Sequence, residues 1–418
     1  MAAPTPSLEA FSDEVTTFLD ARAERRAVGA DDQVHEDDYA EAEVVAAAKA
    51  WQHERFEAGL GWITGPAEFG GRELSVDFER RYRELEKDYE VPNTSLLGPG
   101  LTIIASAILA HSSDTGRAKY LPGLFSGDIV ACQLFSEPST GSDLAGVQTR
   151  AAPDGDGWLI TGQKVWTSGA HRSDVGEAVC RTNLDVPKHK GITIFMVDMS
   201  APGVEIRPLR DATGEVHFNE VFLTDVRVSD DDRVGPVDDG WRVLNTSLMN
   251  ERALVGDMNE GRRDRATPDA LLDVMRELSL LGDPVLRDGL ADLIVRFRVA
   301  ESLTKHMNAR LQRGEMPGPE MSMTKLTFSD NQERLVNFAA TALGAAITAD
   351  GGDELSFPWA QRLLSGRSMR IAGGTDEIQR TILGERVLHL PRDQSIDNSV
   401  PFRDIPRSTR QTQAGERG

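Results

Sequence analysis

Hydrophobic period changes twice along this chain, and few architectures accommodate both changes. Residues 8–28 place Leu8, Phe11, Val15, Phe18 and Leu19 at helical spacing, with charged residues between them. Residues 38–60, 76–89 and 101–109 continue that texture. A period near 3.6 reads as amphipathic helix. From about Ala131 to Gly235 the texture differs. Short β-rich runs at 158–166, 191–198, 204–209 and 215–228 are separated by Gly, Asp and Pro clusters, which read as strands and turns. Helical spacing then returns: Leu290, Leu293, Ile294, Phe297, Ala300, Leu303, Met307 and Leu311 form one stripe, and 325–343 and 376–388 follow. Residues 263–268 form a polar, breaker-rich gap that reads as a loop.

The expected fold is therefore mainly α with a central β-domain. The expected parts are an N-terminal helical domain over 1–130, an antiparallel β-domain over 131–236 and a C-terminal four-helix bundle over 237–395. Residues 396–418 are polar, contain Pro401 and Pro406, and read as a poorly ordered tail. A length of 418 residues suits two or three packed regions.

Charge narrows the function. Lys and Arg total 46 against 67 Asp and Glu, a net −21. A basic groove for nucleic acid and a polybasic membrane patch are disfavoured. Anionic ligands are not, because exposed charges are screened beyond roughly 8–10 Å and local donors decide binding. Cys132 and Cys180 lack metal-site or dithiol spacing, so no metal is expected and both read as reduced thiols. No apolar run reaches the roughly 18–20 residues that span a bilayer. No basic-then-apolar leader is visible, and a cytoplasmic location is expected.

Two pieces of the β-rich region can carry chemistry. One runs Gln133-Leu134-Phe135-Ser136-Glu137-Pro138-Ser139-Thr140-Gly141-Ser142. The other runs Lys164-Val165-Trp166-Thr167-Ser168-Gly169. The first is a strand end entering a loop of hydroxyls and glycine, able to offer N–H and O–H groups to a polar ligand edge. The second ends on an aromatic plane followed by hydroxyls. A flavin needs both an apolar wall and hydrogen bonds around its pyrimidine edge. By composition alone, an ordinary turn and a core aromatic would serve as well.

Together these pieces closely resemble the flavin-binding signatures of the acyl-CoA dehydrogenase family, and the resemblance runs from about residue 8 to 395. Residues 119–127, 221–240 and 373–386 also look like that family, which has the same helix, sheet, helix layout. The resemblance implies FAD as cofactor. Gln133, Phe135 and Ser136 would line the isoalloxazine edge, and Gly141 belongs to the same stretch. Ser142 would sit between the flavin pyrophosphate and CoA. Trp166 would pack on the ring and Ser168, with Thr167 before it, would lie near N5. The family often has Thr where Ser168 stands. Gly374, Thr375 and Glu377 match the C-terminal cofactor segment, although Thr375 is equally a helix N-cap with Asp376 and Glu377 in the first turn.

The implied reaction is α,β-dehydrogenation of an acyl-CoA to the 2-enoyl-CoA, which needs a base for the α-proton. Most family members carry a Glu just before a Gly-Thr pair near the C-terminus. Here Gly373 holds that position in Ile371-Ala372-Gly373-Gly374-Thr375. Isovaleryl-CoA and long-chain dehydrogenases instead carry the base on a bundle helix just before an Arg. The run Leu248-Met249-Asn250-Glu251-Arg252 resembles that arrangement. Glu251 is the candidate base; a surface Glu paired with an Arg is the plain alternative. Arg252 resembles an Arg that positions CoA or the base, and a structural ion pair would also explain it. Gly373 would supply a backbone donor to the thioester carbonyl.

Two family motifs are degraded. The Arg-x-x-Phe-Gly motif that reaches a partner's FAD corresponds to Glu277-Leu278-Ser279-Leu280-Leu281-Gly282. The Gln-Gly-Gly element corresponds to Thr341-Ala342-Leu343-Gly344-Ala345. A homo- or hetero-tetramer is implied, with a base-bearing subunit of a heteromer as one form and a homomer with divergent adenine contacts as the other. An electron-transfer flavoprotein is the implied electron acceptor. A flavin oxidase acting on an acyl thioester or a nitroalkane, and a non-catalytic partner subunit, are the other functions considered. Acyl-chain identity, and CoA against an acyl-carrier protein, stay open.

Overall fold

The structure, a computed structural model, describes residues 5–26, 42–257, 266–312, 318–348, 355–392 and 399–405. Side chains of 252–257, 308, 311 and 312 are outside the description.

The N-terminal region is built on α1 (Leu8–Asp20), α2 (Ala42–Glu57), α3 (Val76–Glu86), α4 (Ala105–His111) and α5 (Asp114–Ser126). Helix starts are written locally. Ser7 Oγ accepts from the Ala10 N–H, and Ser113 Oγ from that of Gly116, satisfying helix-end donors. A π-helical turn over Pro99–Ile104 leads into α4. The apolar face of α1 buries Phe11, Val15, Phe18 and Leu19, and Phe11 meets Phe78 of α3 edge to face at 5.1 Å. In the same region β1 (Glu24–Arg25) and β2 (Tyr89–Glu90) pair antiparallel.

The sheet comprises β3 (Ala131–Leu134), β4 (Arg150–Asp154), β5 (Gly157–Ser168), β6 (Val175–Arg181), β7 (Ile192–Asp198), β8 (Val204–Leu209), β9 (Phe218–Ser229) and β10 (Arg233–Val234). The order β10-β7-β6-β4-β5-β9-β8 forms its path, with β3 paired to β6. Most pairs are antiparallel, as expected of hairpin-connected strands. β3 is the clearest departure: it arrives from α5 rather than through a hairpin and joins β6 in parallel. One face packs on the helical region through Ile104, Leu121, Val179 and Ile194, and the other carries Cys132, Ala178, Phe195 and Val197.

The C-terminal region holds α6 (Gly240–Asp257), α7 (Pro268–Glu277), α8 (Pro284–Gln312), α9 (Ser322–Leu343), α10 (Phe357–Ser365) and α11 (Asp376–Ile382). α8 and α9 pack side by side, and α7, α10 and α11 pack on them. α6 lies between this group and the sheet, with Val243 and Leu244 in the sheet's helical-side core. Of the breaker-rich gap, 263–265 lie outside the described residues. Thr267 caps α7 by accepting from Ala270 N–H, with Pro268 at the first helical position.

Of the expected tail, 396–398 and 406–418 lie outside the described residues. Residues 399–405 dock on the sheet region: Phe402 N–H donates to Val186 O at 2.9 Å, and the Phe402 ring lies 3.9 Å from the Arg181 guanidinium. A buried cation over an aromatic face gives this segment an anchor.

Candidate functional site

A cleft of about 1630 Å³ opens where the sheet, α6 and the start of α11 meet. It exceeds the roughly 300–1,000 Å³ of a single small-molecule site, so it has room for more than one ligand. Gln133, Phe135, Ser136, Gly141, Ser142, Trp166, Ser168, Glu251, Gly373, Gly374 and Thr375 all line it. Residues from opposite ends of the sheet and bundle sequences thus face one space.

The loop after β3 is pinned from beneath. Lys164 Nζ, fully buried, donates to Glu137 Oε1 at 2.9 Å, to Phe135 O at 3.1 Å and to Val179 O at 2.7 Å. Glu137 also accepts from the Gln148 and Thr149 N–H groups at 2.7 and 2.9 Å. Burial works against its charge, but the Lys164 ammonium and these donors hold its pKa below the ordinary value. Val165 N–H donates to Ser136 O at 2.9 Å, so this loop and β5 are tied as one piece. Further along, Arg181 donates to the carbonyls of Ala145 and Val147, and Lys188 holds Asp143 at 2.8 Å.

Trp166 sits at a bulge. The β5–β9 register shifts between Lys164 and Thr167, and Trp166 has φ of +61°. That left-handed conformation is costly for a bulky residue. It turns the indole outward, 59% exposed, to meet Phe218 edge-on at 5.8 Å in the cleft wall. Strand alternation sends Thr167 the other way. It is buried and does not line the cleft, and its backbone O accepts from Asn219 Nδ2 at 3.1 Å.

The opposite wall is built by the turn before α11. Gly373 and Gly374 both have positive φ, +64° and +86°. A Cβ on Gly374 would stand 2.8 Å from Gln379 Nε2, which donates to Gly373 O at 2.7 Å. Thr375 Oγ1 caps α11 by accepting from Ile378 N–H at 3.3 Å, so its capping role is present alongside its place on the wall. Asp376 anchors the turn. It is buried and bonded by Ser329, Lys325 and Arg370 at 2.7, 3.0 and 2.7 Å. Burial opposes its charge, but those donors outweigh it and lower its pKa. Glu377 points away from the cleft to solvent, 3.6 Å from Arg380. The Arg252 side chain lies outside the described residues.

Glu251 reaches the cleft from α6, with Trp241, Asn245 and Leu248 on the same wall. One turn earlier on α6, Ser247 donates to Glu177 Oε1 at 2.9 Å. Glu177 is fully buried on β6, and its other oxygen, Oε2, has no hydrogen-bond partner. Burial pushes its carboxyl up to about 8; the Ser247 hydroxyl opposes this and the Glu251 charge adds to it. The sequence pattern did not single out Glu177. The signal was a lone acid in the apolar run Val175-Gly176-Glu177-Ala178-Val179-Cys180, a strand whose burial on both faces leaves no alternation to find.

The cleft suits a planar, aromatic ligand with a polar edge and an anionic tail. Trp166 offers an exposed ring face. Gln133 Nε2 is a buried donor without a partner in the cleft wall. Arg210, Arg367 and Arg386 line the same space and can meet an anion. Among the described residues no His, Cys, Asp or Glu group is arranged to hold a metal ion, and no helix is long and apolar enough to cross a membrane.

Residues 132–226 match the family model for the acyl-CoA dehydrogenase middle domain, and 238–388 that for its C-terminal domain. Acyl-CoA dehydrogenase IpdE1 of Mycobacterium tuberculosis is 35% identical over 82% of this chain and 88% of its own. Acyl-CoA dehydrogenase FadE34 of the same organism is 40% identical over 73% of this chain, which spans only 42% of that longer protein. Among solved structures, a variant of the Tcur3481-Tcur3483 steroid ACAD superposes with a TM-score of 0.72 at 25% identity, covering 92% of this chain and 99% of that one. With two family domains matched in order on a fold that builds one shared cleft, the chain belongs to the acyl-CoA dehydrogenase family, a family of flavoprotein oxidoreductases.

Proposed function

We propose that this chain is an FAD-dependent acyl-CoA dehydrogenase that uses Glu251 as base. The observation that carries the reading is the meeting of Glu251, Gly373, Gln133, Trp166 and Thr375 around one cleft. FAD, when bound, supplies the hydride acceptor. Trp166 and Phe135 would wall its ring, with Gln133, Ser136, Ser168 and Thr375 offering polar groups at its edge. Gly141, Ser142 and Gly374 would let the backbone approach the cofactor. Arg210, Arg367 and Arg386 are the candidate partners of anionic phosphate. Thr167 and Glu377 stand off the cleft wall, so their part is to shape the strand and the helix start. Arg252, next to Glu251 in the chain, would hold CoA or the base.

In the reaction, Glu251 takes the α-proton of the thioester. The Gly373 N–H, held by the two left-handed glycines and the Gln379 contact, would donate toward the thioester carbonyl, where charge develops. Leu248, one turn away on α6, and Met249 line the same cleft, and apolar surroundings of that kind would thin the water around the carboxylate once substrate is bound.

The test is reductive bleaching of the flavin absorbance by octanoyl-CoA, isovaleryl-CoA and the CoA thioester of a steroid side-chain acid. The last is included because a similar structure carries the name steroid ACAD. At least one thioester is expected to bleach the wild type. Glu251→Gln should lower that rate by roughly 10²–10⁴-fold while retaining FAD. A Gln variant as fast as wild type would remove Glu251 from the chemistry. Transfer of electrons to an electron-transfer flavoprotein, rather than release of peroxide, separates a dehydrogenase from an oxidase.

We also propose that another chain completes the FAD site. The degraded sequences at 277–282 and 341–345 favour this, and the similar steroid ACAD has a name joining two proteins.

A further inference from the structure

We propose that Glu177 is a positioning residue for the reaction, seated behind α6, where it sets the proton affinity of Glu251. This rests on the reading of Glu251 as base. The argument is geometric first. Glu177 is a fully buried carboxyl in the middle of β6, in parallel register with Gln133 of β3. Its Oε1 accepts from Ser247 at 2.9 Å, and Ser247 and Glu251 are four residues apart, hence on one face of α6. The two carboxyls therefore meet the same face of α6 one turn apart, Glu177 buried against the sheet and Glu251 lining the cleft.

No cation balances Glu177 among the described side chains. From α6 it faces Ser247 and Glu251. β3 presents Gln133 in register and β7 presents Met196. Lys164 bonds Val179 O two residues along β6, but it is engaged by Glu137. The charge acting on Glu177 is that of Glu251, and it makes ionisation harder. The influence is reciprocal, since two interacting sites titrate as a pair. With Glu251 ionised, Glu177 keeps its proton at neutral pH. Once Glu177 ionises, a second negative charge lies behind Glu251 and raises its affinity for the substrate α-proton. Transfer of that proton neutralises Glu251, so the repulsion between the two carboxyls is relieved as the reaction proceeds.

The experiment uses the FAD-loaded protein and the fastest thioester of the panel above. Single-turnover flavin reduction in the wild type is expected to rise by roughly two- to fivefold through an inflection near pH 8, the mark of a base strengthened by a nearby charge. Glu177→Gln keeps the shape and an acceptor for Ser247, and it should abolish that inflection. Ser247→Ala removes the bond favouring the ionised form and should move the inflection to higher pH. A readout independent of turnover is an infrared titration of the substrate-free protein. A protonated-carboxyl band lost near pH 8 should be missing in Glu177→Gln and should titrate at lower pH in Glu251→Gln. Superposable pH profiles for wild type and Glu177→Gln would overturn the inference, as would an infrared inflection unmoved by Glu251→Gln. Neither result touches the identity of the base. That reading falls only if Glu251→Gln reduces flavin at the wild-type rate.

Discussion

At Trp166 the backbone and the side chain want different things. A left-handed φ on a bulky residue costs about 1–3 kcal/mol, and the indole is left largely exposed. A core aromatic would be buried in return for nothing strained. Trp166→Gly should therefore leave the melting temperature of the cofactor-free chain unchanged or raised. It should also weaken FAD binding by roughly 3–10-fold, the value of a lost ring contact. A loss of about 3–5 kcal/mol in stability would instead mark it as core. Glu177 gives a second residue-scale expectation. Its folded pKa is raised to about 8, so the folded state holds a proton that the unfolded state gives up near 4.5. Its contribution is fully present below that unfolded value and is lost as pH rises to about 8, with a slope of up to about 1.4 kcal/mol per pH unit. Urea melts at about pH 5.5 and 7.5, both inside that window, should show Glu177→Gln flattening the decline. The two residues differ in legibility. Trp166 was visible because an aromatic followed by hydroxyls is a local pattern, whereas Glu177 acts through a helix about seventy residues away.

Between residue and fold, the unit that matters is the loop after β3 with its buried Lys164–Glu137 pair. Removing one partner of a buried pair leaves an uncompensated charge, which costs about 3–5 kcal/mol. Lys164→Met should therefore destabilise the protein by about that much, read by denaturant unfolding. It should also lower FAD occupancy, because Ser136, Gly141 and Ser142 hang from this loop. The double variant Lys164→Met with Glu137→Leu removes both charges and should recover only part of the stability and none of the cofactor affinity, since the Gln148 and Thr149 N–H groups then lose their acceptor. Recovery of both would show that the pair holds nothing in place. The sequence announced the strands here through short β-rich runs bounded by turn residues. It did not announce the bulge at Trp166 or the parallel pairing of β3, because both depend on which strand lies alongside. It also put Thr167 and Glu377 with the cofactor residues. Strand alternation turns one inward, and the first turn of α11 points the other to solvent.

For the whole molecule, the three-region order was legible because the hydrophobic period itself changes, whereas the cleft was not. Its walls come from β3, β5, α6 and the turn before α11, and only packing brings them together. The same scale bears on assembly. On α8, Val295 and Val299 are 60% and 61% exposed and lie four residues apart on one face; Ile371, beside the cleft turn, is 65% exposed. Apolar residues left open in this way, on a chain whose net charge of −21 otherwise favours solvation, fit surfaces covered by another subunit. If that subunit is a different protein, the chain purified alone should hold FAD at well under one per protomer. Co-expression with a partner of the same family should raise occupancy to one and produce a single species by light scattering. Val295→Glu with Val299→Glu should then release the partner and, with it, the flavin, while circular dichroism of the chain stays unchanged. A homomer predicts the opposite pattern: full FAD occupancy without any partner, in a tetramer of one chain that the double Glu variant splits. Occupancy measured before any partner is added therefore decides between the two assemblies.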